Sequence, residues 1–211
     1  MAVRVKICGI TRPEDLRAAC DAGADALGFV FYARSPRHLA IEQAGALVAA
    51  VHPFVTSVGL FVDAEPAFVR QVLQEIPLDL LQFHGNESPD ECRGFGRPYL
   101  KAVRVRAGID LLEYATHYHD ALGLLLDAYV PHVPGGTGER FDWSLIPANF
   151  PKPVVLSGGL TPENVAEAVR RVKPWAVDVS SGVEAGPGIK DAARMVAFIE
   201  NARGAARASK P

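Results

Sequence analysis

Val154-Val155-Leu156-Ser157-Gly158-Gly159 and, further on, Ala176-Val177-Asp178-Val179-Ser180-Ser181-Gly182 decide how this chain is read. Each is an apolar run ending in a turn of small residues. Between them Thr161 is placed to N-cap a helix, Pro162 fits its first position, and Val165, Ala168, Val169 and Val172 recur at helical spacing. The unit reads strand, turn, helix, strand, turn. Strands joined through a helix run parallel, so both glycine turns emerge at one edge of the sheet. Glycine admits a ligand close to the backbone, and successive N–H groups in a turn attract an anion. Gly158, Gly159 and Gly182 therefore either serve tight turns alone or cradle a phosphate; two neighbouring turns favour the phosphate.

The same alternation runs back to the amino end. Val3, Val5 and Ile7 alternate with Arg4 and Lys6 as a strand closing at Cys8-Gly9-Ile10, and Thr11 with Glu14 has the spacing of a capping box, with Gly23 as the helix stop. Strands are expected at 26–31, 55–62, 78–83, 99–105 and 122–126. Helices are expected at 41–51, around Phe68 to Leu73, after Ser88-Pro89-Asp90-Glu91, around Leu111 to Ala115, and through Ala193 to Ile199. The segment 128–140 holds Pro131, Pro134, Gly135, Gly136 and Gly138 and has no helical period, which marks a functional or disordered loop. Eight successive strand–helix units predict a parallel α/β protein, a single (β/α)8 TIM barrel over residues 1–203 with a flexible tail at 204–211. A doubly wound open sheet is the structural alternative. It would carry its glycine-rich turn after the first strand, whereas here the glycines gather after strands seven and eight.

Composition narrows the partners. The 211 residues carry 22 Lys and Arg against 24 Asp and Glu, a formal charge of -2 without a basic block, so nucleic acid is not the expected partner. No run approaches the ~20 apolar residues of a membrane span, and charges interrupt the amino end where a secretory signal would be apolar. Cys8, Cys20 and Cys92 form neither a disulfide framework nor a metal-type pair, which fits the cytoplasm. No metal site is expected.

In a barrel the chemistry lies at the carboxyl ends of the strands. That rule gathers Cys8 after strand one, Arg37 in the loop after strand two, His84 after strand four, Asp127 after strand six and the two glycine turns. Each has a plain reading as well. Cys8 is either a small buried hydrophobe or a reactive thiol, Asp127 either a turn residue or an acid at the end of a very apolar strand, and Arg37 either a solvated charge or an anion partner. His84 reads equally as a satisfied structural histidine, and Asp178 bonds either a ligand or neighbouring backbone.

Seven segments, in order from the first strand to the last, carry a family resemblance. They are 6–11 (KICGIT), 28–31 (GFVF) with 35–37 (SPR), 82–85 (QFHG), 126–127 (LD), 135–138 (GGTG) with 141–143 (FDW), 156–160 (LSGGL) and 177–184 (VDVSSGVE). In these the chain resembles the phosphoribosylanthranilate isomerases. The resemblance implies an Amadori rearrangement of N-(5-phosphoribosyl)anthranilate without metal or cofactor, with Asp127 as general acid and Cys8 as general base. It also implies Arg37 on the anthranilate carboxylate and a phosphate held near Gly136, Gly138, Gly158, Gly159, Ser181 and Gly182, with His84, Asp178 and Ser180 in the substrate site. The expected partner is a small phosphosugar, and the expected state a monomer or homodimer. A metal-dependent pentose-phosphate epimerase is the competing enzyme reading, but it needs His and Asp ligands that His84 lacks at other strand ends. A catalytically silent phosphate-binding module is the reading from another class.

Overall fold

The computed structural model describes residues 3–128 and 141–208. Its framework is eight strands: β1 (Arg4–Cys8), β2 (Ala26–Val30), β3 (Thr56–Phe61), β4 (Leu80–Phe83), β5 (Tyr99–Val105), β6 (Gly123–Ala128), β7 (Val154–Leu156) and β8 (Ala176–Val179). They pair in chain order, all parallel, and β1 closes the ring against β8 with Lys6 beside Asp178 and Ile7 beside Val179. Closure removes the open-sheet alternative. A strand buried on both faces needs apolar residues on both, and period-two alternation sorts them. On β1, Val5 and Ile7 face outward into the main core beneath the helices, while Cys8 faces inward with Val30 and Leu60. A second inner layer joins Leu100, Ala102, Leu125, Val155 and Ala176, so the barrel interior is filled rather than open.

The helices are α1 (Pro13–Asp21), α2 (Ile41–Ala49), α3 (Pro66–Glu75), α4 (Pro89–Cys92), α5 (Leu111–His117), α6 (Val165–Val172) and α7 (Ala192–Ala208). Between β6 and β7 the described residues hold only a 3-10 turn, Trp143–Leu145, so the sixth unit has no α-helix there. Ser88 and Glu91 make the reciprocal cap expected of them, but the helix they open lasts a single turn. Two other starts need correction. Thr11 donates its hydroxyl to the Gly188 carbonyl instead of capping α1, whose N-cap is Arg12 with its guanidinium on Asp15. Helix α6 begins at Val165, three residues beyond Pro162, after a turn in which Asn164 and Val165 both donate to the Thr161 carbonyl.

The carboxyl end also differs from expectation. Helix α7 runs through the segment read as a loose tail as far as Ala208, because Ala202 and Ala205 are buried against the barrel. Arg203 fastens it to the Gly23 carbonyl and the Asp25 carboxylate, and Gly23 stops α1 in left-handed backbone at φ 90°. A short hairpin, β9 (Glu184–Gly186) with β10 (Ile189–Lys190), follows β8 and was not foreseen.

Candidate active site

A pocket of about 150 Å³ opens at the carboxyl ends of the strands. Every expected site residue that is described lines it: Cys8, Arg37, His84, Asp127, Asp178 and the turn residues Gly158, Gly159, Ser180, Ser181 and Gly182. Gly136 and Gly138, and nearly all of the 128–140 loop, lie outside the described residues. The strand ends fix the arrangement. Asp127 sits inside β6, one residue before its end, and not just beyond it as the sequence pattern placed it.

On the β1 side a small charge network surrounds the thiol. Lys6 and Cys8 alternate onto the same inner face, and Lys6 Nζ pairs with Asp178 Oδ1 at 2.9 Å with both side chains buried. Ser157 donates to the other Asp178 oxygen at 3.3 Å. Gly28, beside Cys8 on β2, makes room for this: a Cβ there would stand 2.7 Å from Cys8 Sγ and 3.1 Å from Lys6 Nζ. Burial pushes the Cys8 thiol above its ordinary pKa; the Lys6 charge pulls it back, and Asp178 adds to the rise. Burial alone would favour neutral Lys6, yet Asp178 and Cys8 outweigh it and hold the ammonium charged, raised above its ordinary value. Both carboxylate oxygens of Asp178 are thus engaged by the protein, which makes it the counter-ion of Lys6.

Across the pocket stands the candidate acid. Asp127 Oδ2 lies 3.1 Å from His84 Nε2, and Oδ1 accepts from the Ala128 N–H at 2.9 Å. His84 Nδ1 lies 2.9 Å from Gln82 Nε2. An amide nitrogen only donates, so Nδ1 is the bare nitrogen in this arrangement and Nε2 carries the hydrogen toward Asp127. Gly158 completes the surroundings at φ 83°; a Cβ there would fall 2.5 Å from the Ala128 nitrogen and 2.9 Å from Asp127 Oδ1.

Arg37 reaches the mouth from the loop after β2, and Glu184 of β9 takes its Nε and Nη2 at 2.8 and 2.7 Å. Lys190 of β10, its ammonium buried, bonds Glu184 Oε1 at 2.8 Å and the Ser180 carbonyl at 3.1 Å. Burial alone would raise Glu184, but the Arg37 hydrogen bond and the Lys190 charge outweigh it and hold its pKa below the usual range. Two basic groups share this one carboxylate, burial lowering Lys190 below its ordinary pKa while Glu184 pulls it back, and such a wall suits an anion. Beside it, Asn164 fixes the first glycine turn: its amide donates to the Gly159 carbonyl at 2.8 Å, and its oxygen accepts from the Thr161 N–H at 2.9 Å. The turn after β7 and the start of the 3-10 helix Ser181–Val183 after β8 both line the pocket. Backbone N–H groups at such a turn and at a helix start suit the oxygens of a phosphate.

Sequence reasoning missed Glu184, Lys190, Gln82 and Asn164 as members of the site. Glu184 and Gln82 stood within recognised segments, but their partners are distant or reached only through closure of the ring. The fold is that of a (β/α)8 barrel, and its pocket sets a thiol and a carboxyl group facing one cavity beside two glycine turns. Comparison with known proteins gives the family. Residues 5–201 match the model of the N-(5'phosphoribosyl)anthranilate (PRA) isomerase family. An N-(5'-phosphoribosyl)anthranilate isomerase of Thiobacillus denitrificans is 68% identical over 203 residues, covering 96% of this chain and 99% of that one. A crystal structure of phosphoribosyl anthranilate isomerase in complex with reduced 1-(o-carboxyphenylamino)-1-deoxyribulose 5-phosphate is 44% identical, with a TM-score of 0.85 over 96% of this chain and 99% of that one. A structure of monomers generated from the dimeric Thermotoga maritima enzyme is 43% identical with the same TM-score and coverage. The chain belongs to the N-(5'-phosphoribosyl)anthranilate isomerase family.

Proposed function

We propose that the pocket carries out the family's reaction by general acid–base catalysis divided between Asp127 and Cys8. The chain is an isomerase of tryptophan biosynthesis, converting N-(5-phosphoribosyl)anthranilate to 1-(2-carboxyphenylamino)-1-deoxyribulose 5-phosphate. The observation that carries the division of labour is that Asp127 and Cys8 line one pocket from β6 and β1, on either side of the turns after β7 and β8.

Asp127 protonates the ribose ring oxygen, and the furanose opens to a protonated Schiff base. Cys8, as thiolate, removes the proton from C2 to give an enolamine, which tautomerises to the ketone. One group gives a proton and the other takes one, so the steps balance without an external oxidant or reductant. Arg37 holds the anthranilate carboxylate with the part of its guanidinium that Glu184 leaves free. The phosphate sits on the N–H groups of Gly159, Ser181 and Gly182, joined by Gly136 and Gly138 of the following loop. Anchoring both anionic ends presents the reacting carbons between them to Cys8 and Asp127. Loss of substrate fluorescence after adding the protein to freshly generated phosphoribosylanthranilate, with no added metal, tests the reading; no loss above the spontaneous rate rejects it.

The protein works in the cytoplasm, as a monomer or homodimer. No helix among the described residues is long and apolar enough to cross a membrane. Sedimentation at micromolar concentration distinguishes the two states of assembly.

A further inference from the structure

Gln82 is fully buried in the wall of the pocket, and only one end of its amide has a partner. Nε2 meets His84 Nδ1 at 2.9 Å, while Oε1 has no hydrogen-bond partner among the described residues. A buried carbonyl left without a donor is destabilising, so its place beside the candidate acid calls for a second arrangement in which it is used.

Counting protons supplies that arrangement. When Asp127 is ionised, its Oδ2 accepts from His84 Nε2–H; Nδ1 is then a bare lone pair and needs a donor, which is the amide NH2 of Gln82. Asp127 can act as an acid only when the His84–Asp127 pair holds one proton more. That proton sits either on the carboxyl group, with Nε2 accepting, or on an imidazolium. In both cases Nδ1 carries a hydrogen, and it needs an acceptor. Turning the amide half a turn about its Cγ–Cδ bond replaces Nε2 by Oε1 at nearly the same point, because the two ends are close to isosteric.

We propose that Gln82 is a positioning residue for the acid Asp127, its amide turning between donor and acceptor to serve both proton counts of the His84–Asp127 pair. In the free enzyme the extra proton comes from solvent. It leaves Asp127 for the ring oxygen when the furanose opens, and the pair returns to the arrangement in which Gln82 donates. The other charged groups around the pocket are Cys8 and Lys6 on β1, Arg34 and Arg37 after β2, Asp178 on β8, and Glu184 and Lys190 in the hairpin. All of these but Arg34 are engaged in the separate contacts described above. On the neighbouring β5, Lys101 donates to the Phe83 and Gly85 carbonyls on either side of His84 and pairs with Glu87 at 2.9 Å, and Arg104 is held by Asn86 at 3.0 Å.

This inference rests on the reading of Asp127 as the acid, and the experiment separates the two. The parent, Asp127→Asn, Gln82→Leu and Gln82→Glu are assayed, and the imidazole nitrogens of His84 are followed by 15N NMR across pH. Gln82→Leu offers neither donor nor acceptor. Gln82→Glu, ionised, is nearly isosteric and only accepts, and it carries the test if the leucine variant fails to fold. Both are expected to lower kcat roughly tenfold or more, a part of the 10²–10⁴ an acid–base group supplies. KM should stay within about threefold, as for a residue that acts on the chemical step. In Gln82→Glu, His84 Nδ1 should carry a hydrogen across the range in which the parent's Nδ1 passes from bare to protonated. Parental kcat in Gln82→Leu, a change in KM alone, or the same Nδ1 behaviour in Gln82→Glu and parent overturns the proposal. A fully active Asp127→Asn removes the acid reading and this inference with it; an inactive Asp127→Asn beside fully active Gln82 variants removes this inference only.

Discussion

Arg37 and Glu184, far apart in the chain, meet through two parallel hydrogen bonds, Nε to Oε1 at 2.8 Å and Nη2 to Oε2 at 2.7 Å. The guanidinium is thereby held in one orientation at the mouth of the pocket, and the partner that holds it is shared with Lys190. Pre-orientation of this kind lowers the ordering cost of binding.

Arg37→Met is therefore expected to act on binding. Losing charged hydrogen bonds of about 1.5–3 kcal/mol corresponds to a KM roughly ten- to a hundredfold higher, with kcat far less affected. Glu184→Gln keeps the shape but loses the charge, and should raise KM by a smaller factor. Steady-state kinetics on both decide it; an unchanged KM in Arg37→Met returns the residue to a structural ion pair.

Asp127→Asn keeps size and a hydrogen-bonding group but has no transferable proton. Its rate should collapse while a product analogue still binds. Cys8→Ser should lower turnover by at least ~100-fold, the scale of a lost acid–base group, with the fold retained. Substrate deuterated at ribose C2 should show a primary isotope effect, most clearly in the serine variant. Normal turnover in either variant takes that residue out of the mechanism.

The pH profile follows from the charge beside Cys8. In the proposed mechanism the thiolate is the working form, and burial has raised the thiol's pKa, so the rate should climb with pH toward a midpoint above that of an ordinary cysteine. Lys6 opposes the rise more strongly than Asp178 adds to it, so the double variant Lys6→Met/Asp178→Asn should move the climb to still higher pH. Lys6→Met alone leaves a buried carboxylate unpaired and should cost about 3–5 kcal/mol of stability, much of it recovered in the double variant. Urea midpoints and pH–rate curves test the two halves separately; a climb displaced to lower pH contradicts the role given to Lys6.

A phosphate or sulfate ion soaked into crystals should occupy the N–H groups of Gly159, Ser181 and Gly182. Difference density found only at the amino ends of the strands would place the anion seat elsewhere.

Much of this was legible in the residues. Strand β5 runs over Tyr99–Val105 as its pattern indicates, and the carboxyl-end rule brought Cys8, Arg37, His84 and Asp127 into one cavity before any coordinates. Local signals failed where distant contacts decide. Thr11 has the spacing of a cap but spends its hydroxyl on Gly188, and the segment after Arg203 looks detached until Ala205 and the Gly23 carbonyl give it something to rest on. The β9–β10 hairpin is too short to show a period, and with it Glu184 stayed hidden as Arg37's partner. Closure of the ring sets β8 beside β1 and fixes the distance from Lys6 to Asp178, which strand alternation alone leaves open.

The three thiols differ in a way that is useful at the bench. All are free and buried, but Cys8 lines the pocket, whereas Cys20 and Cys92 lie in the packed layer under the helices. Burial pushes both thiols up, Cys92 to about 12, and a lysine pulls each back, Lys101 for Cys92 and Lys6 for Cys8, so it is access through the pocket that sets Cys8 apart. A small alkylating reagent should then modify one sulfur per chain and extinguish turnover in step, with a product analogue slowing both. Mass spectrometry of such a reaction counts intact pockets directly, and lets a preparation's competent fraction be stated without reference to its specific activity.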